Sequence, residues 1–579
     1  MRRIKVCSGL FFLSILWHHG GFSQDWAWAN YIPWSFNVPT GNTPVYIDVH
    51  TNAITHDTGG NACVTGHIDV EDGDNGDDAS IFFVAKFNAN GQLDWLRQYG
   101  EPFGPEACGE DIIADAAGNI YVTGTFRATL QFSNTISLTC TGGSNDDIFI
   151  VKYNPQGVVQ WARKAGGNSW DSGHGIALDS QGNILITGSL RGSAYFGNSI
   201  VSIDTSPNST DYFVAKYDQS GNALWVKRGS SSNYNEAQGK RISVDSLGQF
   251  WSIGTFDEEI TIDNVTLTAT PKPDQPTYNY DIFVAKHDAS GNLLWAKNFG
   301  GDGFETPGGI VCDHQGNGYI TGHFYKNISL DNITLTTLTS SDGFVAKMNS
   351  AGNILWAKGI NGGGYDEGKG VDVDANDNCY VVGALSADYG AKLFVKKYKP
   401  NGDLDWTREA KKHSTIDYGE ISGNAISTDA DGNSYVAGTF FGDLVSFDNM
   451  NVPGTHGQQS GYGIMQGSVA KLSATDIFFP PYVDPGVWEE WPIKPGPDPA
   501  SSLKAYPNPS DDIITLQFSN PGRDRGYLGI YNQRGQLIST QEFSGDLEQR
   551  ISFRQYGTDF YYARVVVGEE AHMQTIIIE

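Results

Sequence analysis

Positive charge is scarce in this chain: 38 Lys and Arg stand against 66 Asp and Glu, a formal net charge of −28. Nucleic acid and anionic membrane surfaces are therefore not expected partners, since both are held through dense positive charge. No basic cluster offsets the balance, which suits solubility outside the cell. Cysteine is sparse too. Six occur in 579 residues, none in Cys-x-x-Cys spacing, so neither a zinc site nor a disulfide framework is indicated. Helical periodicity is almost missing, and after residue 17 no apolar run is long enough to span a bilayer. Nucleophile elbows, paired metal-ligating histidines and phosphate loops are missing as well, so the expectation is a protein without catalytic residues, cofactor or metal.

What is present is a period. Asp57, Asp115, Asp179, Asp245, Asp313, Asp374 and Asp429 each stand nine residues before a glycine: Gly66, Gly124, Gly188, Gly254, Gly322, Gly383 and Gly438. In the third copy, Gly175 to Asp179 reaches a Gly182-Asn183 turn and then Ile184 to Gly188, a tight hairpin whose Asp accepts backbone N–H bonds. Phe213-Val-Ala-Lys216, Asp218 to Gly221 and Ala223-Leu-Trp225 make a second hairpin. The Lys strand recurs seven times, ending at Lys86, Lys152, Lys216, Lys286, Lys347, Lys397 and Lys471. Four antiparallel strands in each of seven units, with 70 glycines and 12% aromatics, predict an all-β, seven-bladed propeller. Only six Trp strands follow the Lys strands (Trp95, Trp161, Trp225, Trp295, Trp356, Trp406). The seventh, Trp28, precedes the first repeat. The N-terminal strand is thus expected to complete the last blade and close the ring within residues 25–478.

Asp-x-x-Gly-Asn, a Tyr-Val-Thr-Gly-like strand, Asp-x-Phe-Val-Ala-Lys and Gly-x-x-x-Trp together resemble the SBBP β-propeller repeat of bacterial surface proteins, over about three quarters of the chain. Gln249, Asp377 and Lys396 depart from the pattern. Residues 1–24 read as a secretory signal: Arg2, Arg3 and Lys5 precede a short apolar stretch ending at Trp17. A Pro-rich linker, 479–503, separates the propeller from residues 504–579, whose short alternating runs predict a small Ig-like β-sandwich. Within it Tyr506-Pro507-Asn508-Pro509, Ile530 to Gly535, Phe560-Tyr561 and Thr575 to Ile578 resemble the type A C-terminal sorting domain of the Bacteroidota type IX secretion system. The usual basic residue near the end is replaced by Glu579. The resemblance implies export across the outer membrane, to the medium or the cell surface, with the secretion machinery as partner. The mature chain is expected to be a monomer without a transmembrane segment.

Site candidates fall on the face that carries the long connections. An acid precedes each innermost strand: Asp48, Glu106, Asp171, Glu236, Glu305, Asp366 and Glu420. One reading is a ring at the channel mouth that takes Ca²⁺ or a cationic ligand. The preferred one is that each acid caps its loop or bonds the next blade's backbone, as expected of a residue present in every copy. Trp170, Phe304 and Tyr365 beside three of these acids suit a sugar platform or blade packing. Apolar runs ending at Asn134, Asn198, Asn264, Asn332 and Asn449 predict protruding hairpins on the same face. The acidic stretch from Asp69 to Asp78 replaces the hairpin in blade 1 and reads as a solvated loop, because Gly73 falls where a calcium loop needs a ligand. His50, His56 and His67 lie close in sequence, but their spacing alternates across strands and turns and fits no metal motif. Cys63 and Cys379, in equivalent strands, read as buried small hydrophobes.

The function expected is a non-catalytic binding or adhesion propeller for an extracellular glycan or protein. The alternatives are a carbohydrate-active lyase or hydrolase using two mouth acids, and a purely structural surface component.

Overall fold

A computed structural model describes residues 26–33, 45–473 and 503–577 apart from short breaks, the longest at 454–464. The chain divides into two compact units that part at Ile477 and Phe478. Every named element is a strand.

The first unit is a seven-bladed propeller. Blade 1 runs outward from the axis through Val45–His56, Ala62–Asp72, Asp78–Phe87 and Leu93–Tyr99, each antiparallel to the last. Five further blades repeat this order, with inner strands Ala107–Ala114, Ser172–Leu178, Ala237–Val244, Glu305–Cys312 and Glu367–Val373. Blade 7 takes Ile421–Thr428, Ser434–Phe441 and Met465–Leu472 from the end of the array and its outermost strand, Trp26–Tyr31, from the beginning. Trp28 lies opposite Lys471. Its Nε1 donates to Ala89 O of blade 1 (3.0 Å), as Trp95 Nε1 donates to Pro155 O of blade 2 (3.1 Å). The first tryptophan therefore fills the place the other blades assign to theirs.

The repeat residues hold the turns. Asp179 Oδ1 accepts from Gln181 N and Asn183 N, and Oδ2 accepts from Asn183 Nδ2 and pairs with Lys216 Nζ at 2.9 Å. The same ion pair joins Asp57 to Lys86 (2.7 Å) and Asp313 to Lys347 (3.0 Å). It links the turn after the inner strand to the end of the Lys strand, so the two signatures of the sequence form one buried contact. In blades 2 and 7 the lysine lies over the repeat tyrosine, Lys152 on Tyr121 and Lys471 on Tyr435. Burial alone pushes Asp57, Asp179 and Asp313 up; the bonds from Asn and Lys outweigh it and hold all three below the usual carboxylate range. A depressed folded-state pKa stabilises above the unfolded value, and the contribution is lost as pH falls through the folded one. Resistance to thermal unfolding should therefore fall steadily below about pH 4. Asp179→Asn should cost about 3 kcal/mol at neutral pH, by stranding Lys216, and should flatten the acid limb. An unchanged acid limb in that variant would refute the assignment.

The connecting hairpins differ from expectation. Asn134, Asn264 and Asn332 do fall in their turns, while Asn198 and Asn449 lie outside the described residues. The hairpins do not all stand free. Ala194–Phe196 with Ile200–Ser202 pairs onto the outer strand of blade 2, Glu259–Ile262 with Val265–Thr268 onto that of blade 3, and Leu444–Phe447 with Met450–Pro453 onto that of blade 6. An exposed outer edge is a pairing hazard, and an added hairpin covers it.

The second unit has a three-stranded and a four-stranded sheet around one core that includes Ile514, Leu516, Ile530 and Val565. Tyr506 lies in a strand, and Pro507, Asn508, Pro509 and Gly535 fall outside the described residues.

Candidate functional site

The innermost strands of all seven blades enclose an axial channel of about 260 Å³. Its lining carries Asp111, Arg241, Lys369 and Asp372. Asp111 accepts from Ile176 N of the next blade and Asp372 from Thr428 N, so these acids bond neighbouring inner strands together. Burial pushes Asp372 up to about 7.

At the mouth the acids fall in two registers, nine residues ahead of the repeat Asp (Asp48, Glu106, Glu236, Glu420) or eight (Asp171, Glu305, Asp366), and the second set is buried. Asp171 is buried, accepting Gly167 N (2.7 Å) and Arg191 N (3.0 Å), and burial raises it to about 7. Asp366 is equally sealed and accepts Gly362 N and Ser386 N. Glu305 is buried against Lys272 Nζ (3.0 Å), an ammonium it shares with Asp281. Burial pushes Glu305 up to about 8 against the pull of that lysine. Asp48 accepts Met465 N of blade 7 (2.7 Å), and Glu106 pairs with Arg127 (3.0 Å). Glu236 accepts the Tyr280 hydroxyl (3.0 Å), and Glu420 lies outside the described residues. These bonds run to each acid's own loop or to an adjacent strand.

Two of the three rings named from sequence come together. Phe304 lies 5.9 Å from Tyr325, whose ring is 5.8 Å from Tyr365, with His323 6.1 Å from Tyr365. Ser386 Oγ fixes Tyr365 by accepting from its N–H and donating to its C=O, while 46% of the residue stays exposed. Trp170 is separate, half exposed beneath the Arg127 guanidinium at 5.3 Å. Phe304 and Glu305 also border a pocket of about 500 Å³ between blades 4 and 5, lined further by Glu236, Gln238, Lys240 and Tyr280. Burial lowers Lys240 from its ordinary value. The pocket and the aromatic shelf meet at Phe304 and so are continuous across blades 4 to 6. Sequence reasoning missed Tyr325 and His323. The available signal was register: Tyr325 stands three residues past the strand glycine Gly322, where Asp69 and Arg127 stand in blades 1 and 2.

The three clustered histidines separate. His56 bonds Ser427 Oγ and stacks on Tyr435 of blade 7. His50 and His67 face each other across their strands beside Asp69. Asp69 is thus a strand residue, correcting its reading as part of a solvated loop; residues 73–77 of that stretch lie outside the described residues. The five cysteines of the described chain are free, and Cys63 and Cys379 are fully buried.

Fold and site define a closed β-propeller with a rim groove, followed by a separate β-sheet domain. Residues 160–189 match the beta-propeller repeat family (SBBP), and residues 504–579 match the secretion system C-terminal sorting domain. The chain is therefore a repeat propeller that carries a C-terminal address for secretion or cell-surface attachment. It is similar to an uncharacterized WD repeat-containing protein of Acanthamoeba polyphaga mimivirus, 24% identical over 347 residues, which is 48% of this chain and 24% of that protein. It is also similar to the regulatory protein FlaEY of Caulobacter vibrioides, 26% identical over 126 residues, 22% of this chain and 13% of that one. Each match spans a quarter or less of the relative's own length. Among solved structures, polysaccharide lyase Uly1 aligns with a TM-score of 0.37 at 11% identity, covering 77% of this chain and 92% of the lyase. A puromycin hydrolase aligns with a TM-score of 0.38 at 10% identity, covering 85% and 62%.

Proposed function

We propose that the propeller is an extracellular binding module that takes a glycan on the rim of blades 4 to 6. The reading rests on the Tyr365–Tyr325–Phe304 shelf, exposed at Tyr365 and half-buried at the other two rings, which runs into the pocket of Glu236, Lys240 and Tyr280. Aromatic faces cover the C–H face of a pyranose, and a few convergent polar groups fix its hydroxyls. Binding is favoured over catalysis because Asp171 is buried on two backbone amides away from the pocket, and Glu305, which borders the pocket, is buried in an ion pair with Lys272. A general acid must reach the substrate. A glycan array identifies the ligand. Tyr365→Ala should then weaken binding about tenfold or more with unchanged thermal unfolding, as expected for loss of a central aromatic contact. Equal affinity in that variant would remove the shelf from the site.

A second reading has its own observation. Glu236, the Tyr280 hydroxyl and Lys240 share one pocket, a set able to move a proton in a lyase or hydrolase. Release of unsaturated or reducing ends from the bound polysaccharide, abolished by Tyr280→Phe, would replace binding by catalysis.

A further inference from the structure

We propose that His50, His67 and Asp69 form a three-ligand site for a borderline divalent cation of the Zn²⁺ class on the rim of blade 1. It is independent of the glycan groove, which lies on blades 4 to 6.

Inner strand and second strand supply the ligands by register. His50 and His67 are directly opposed, and Asp69 lies two residues beyond His67, on the same face of the sheet. The rings stack with centroids 4.7 Å apart and planes 11° from parallel. Both Nε2 atoms approach the same oxygen: His50 Nε2 is 3.4 Å and His67 Nε2 3.5 Å from Asp69 Oδ2. Ligand atoms about 2.0–2.1 Å from a tetrahedral zinc are about 3.3 Å from one another, so two edges of the tetrahedron are already in place. All three ligand atoms lie within 4.8 Å, and a tilt of the two rings closes the third edge.

Neighbouring groups orient the ligands. Cys108 Sγ lies 3.0 Å from His67 Nδ1, where it can accept the Nδ1–H of the tautomer that leaves Nε2 free for a metal, while its own S–H goes to Glu110 Oε1 and Asn52 Nδ2 donates to Gly109 O. Ser80 Oγ donates to Asp69 Oδ1 and leaves Oδ2 to the imidazoles. Such partners are the usual support of a metal-binding histidine or carboxylate. Two imidazoles and one carboxylate select Zn²⁺, Ni²⁺, Co²⁺ or Cu²⁺ over Ca²⁺ and Mg²⁺, which take oxygen ligands. The side chains are 20–29% exposed, so an ion can enter from solvent. Three protein ligands leave a fourth position for water or a donor atom brought by a ligand.

Zn²⁺ titrated calorimetrically into the full chain tests the site, with Co²⁺ absorption as a second readout. One ion per chain is expected, with affinity lowered at least tenfold by His50→Ala and by His67→Ala. His314→Ala should have no effect, because His314 is exposed and pairs with Asp377. Bound Co²⁺ should show tetrahedral visible bands that vanish in His67→Ala. Asp69→Asn keeps the side chain's shape and serves if a histidine variant fails to fold. Undiminished binding in the His50→Ala/His67→Ala double variant would overturn the site. So would absence of binding to the unaltered chain, or binding lost only on neutralising Asp74 and Asp77.

Discussion

Deletion of Trp26–Tyr31 is expected to open the ring and destroy cooperative unfolding of the propeller. Trp26, Trp28 and Ile32 are at most 7% exposed, and Asn30 Nδ2 donates to Gly91 O of blade 1. The N-terminal strand is therefore bonded to blade 7 along its length and seated on blade 1 by its side chains. Replacing even one buried tryptophan by alanine costs about 3–5 kcal/mol. Removal of the whole strand also exposes the backbone edge of Met465–Leu472 to other chains. Calorimetry should show a broadened transition at lower temperature, and light scattering should show oligomers that grow with concentration. A synthetic peptide of residues 25–33 added in trans should restore the sharp transition in proportion to its occupancy. A deleted chain that stays monomeric and unfolds as before would mean that the ring is held elsewhere. Trp28→Ala is the milder form. It keeps the strand and removes the indole that caps the turn at Gly91, so its cost should resemble that of Trp95→Ala one blade on.

Ring closure was legible because it follows from counting: six tryptophans behind seven Lys strands leave one place, and the strand around Trp28 ahead of the first repeat is there to fill it. The blade count was legible for the same reason, since the Asp–Gly and Lys–Trp pairs each recur at a spacing of nine residues. Their contacts were not. The pairing of Asp179 with Lys216 joins residues 37 apart and that of Asp57 with Lys86 residues 29 apart, so the contact spans the one spacing of the repeat that varies. Covering of outer edges by hairpins was illegible because the next blade supplies the strand; Ala194 follows Gly188 in sequence but pairs with Gly167. The rim was the least readable part. Asp48 and Glu236 share a register, yet one bonds a strand of blade 7 and the other a later strand of its own blade, while Asp171, one residue out of that register, bonds the end of blade 2's outer strand. Asp69 was hidden by composition, because it opens an acidic run that continues past the end of its strand. Parity carries the signal: His67 and Asp69 alternate on the strand that faces His50.

Replacing Gly188 by alanine should be the most damaging single-atom-scale change in blade 3. Each inner strand bulges at one residue; in blade 3 the register shifts between Gly173 and Gly175. A bulge turns the local backbone and strengthens its twist. Here it directs Ser172 O at the second strand, where a Cβ on Gly188 would lie 1.9 Å from that oxygen and 3.0 Å from the Phe213 ring. Neither obstacle is the free end of a flexible side chain. The oxygen belongs to the inner strand beside the channel, and Phe213 is fully buried between blades. Gly66 meets His50 O at 1.9 Å and Gly383 meets Glu367 O at 1.9 Å, so the glycine nine residues after the repeat Asp is fixed by the bulge across from it. Gly188→Ala must flatten the bulge or separate the strands. Flattening it would shift the register by one residue and turn the core face outward. The expected cost is above about 4 kcal/mol, in the range reserved for severe core damage. Gly359→Ala is the control, because a Cβ there meets nothing within 4 Å in an exposed strand; it should change stability by less than about 0.5 kcal/mol. Denaturant midpoints of the two variants decide the matter. If they shift equally, the glycine period reflects general strand flexibility; if only Gly188→Ala shifts, the period records one carbonyl in each blade.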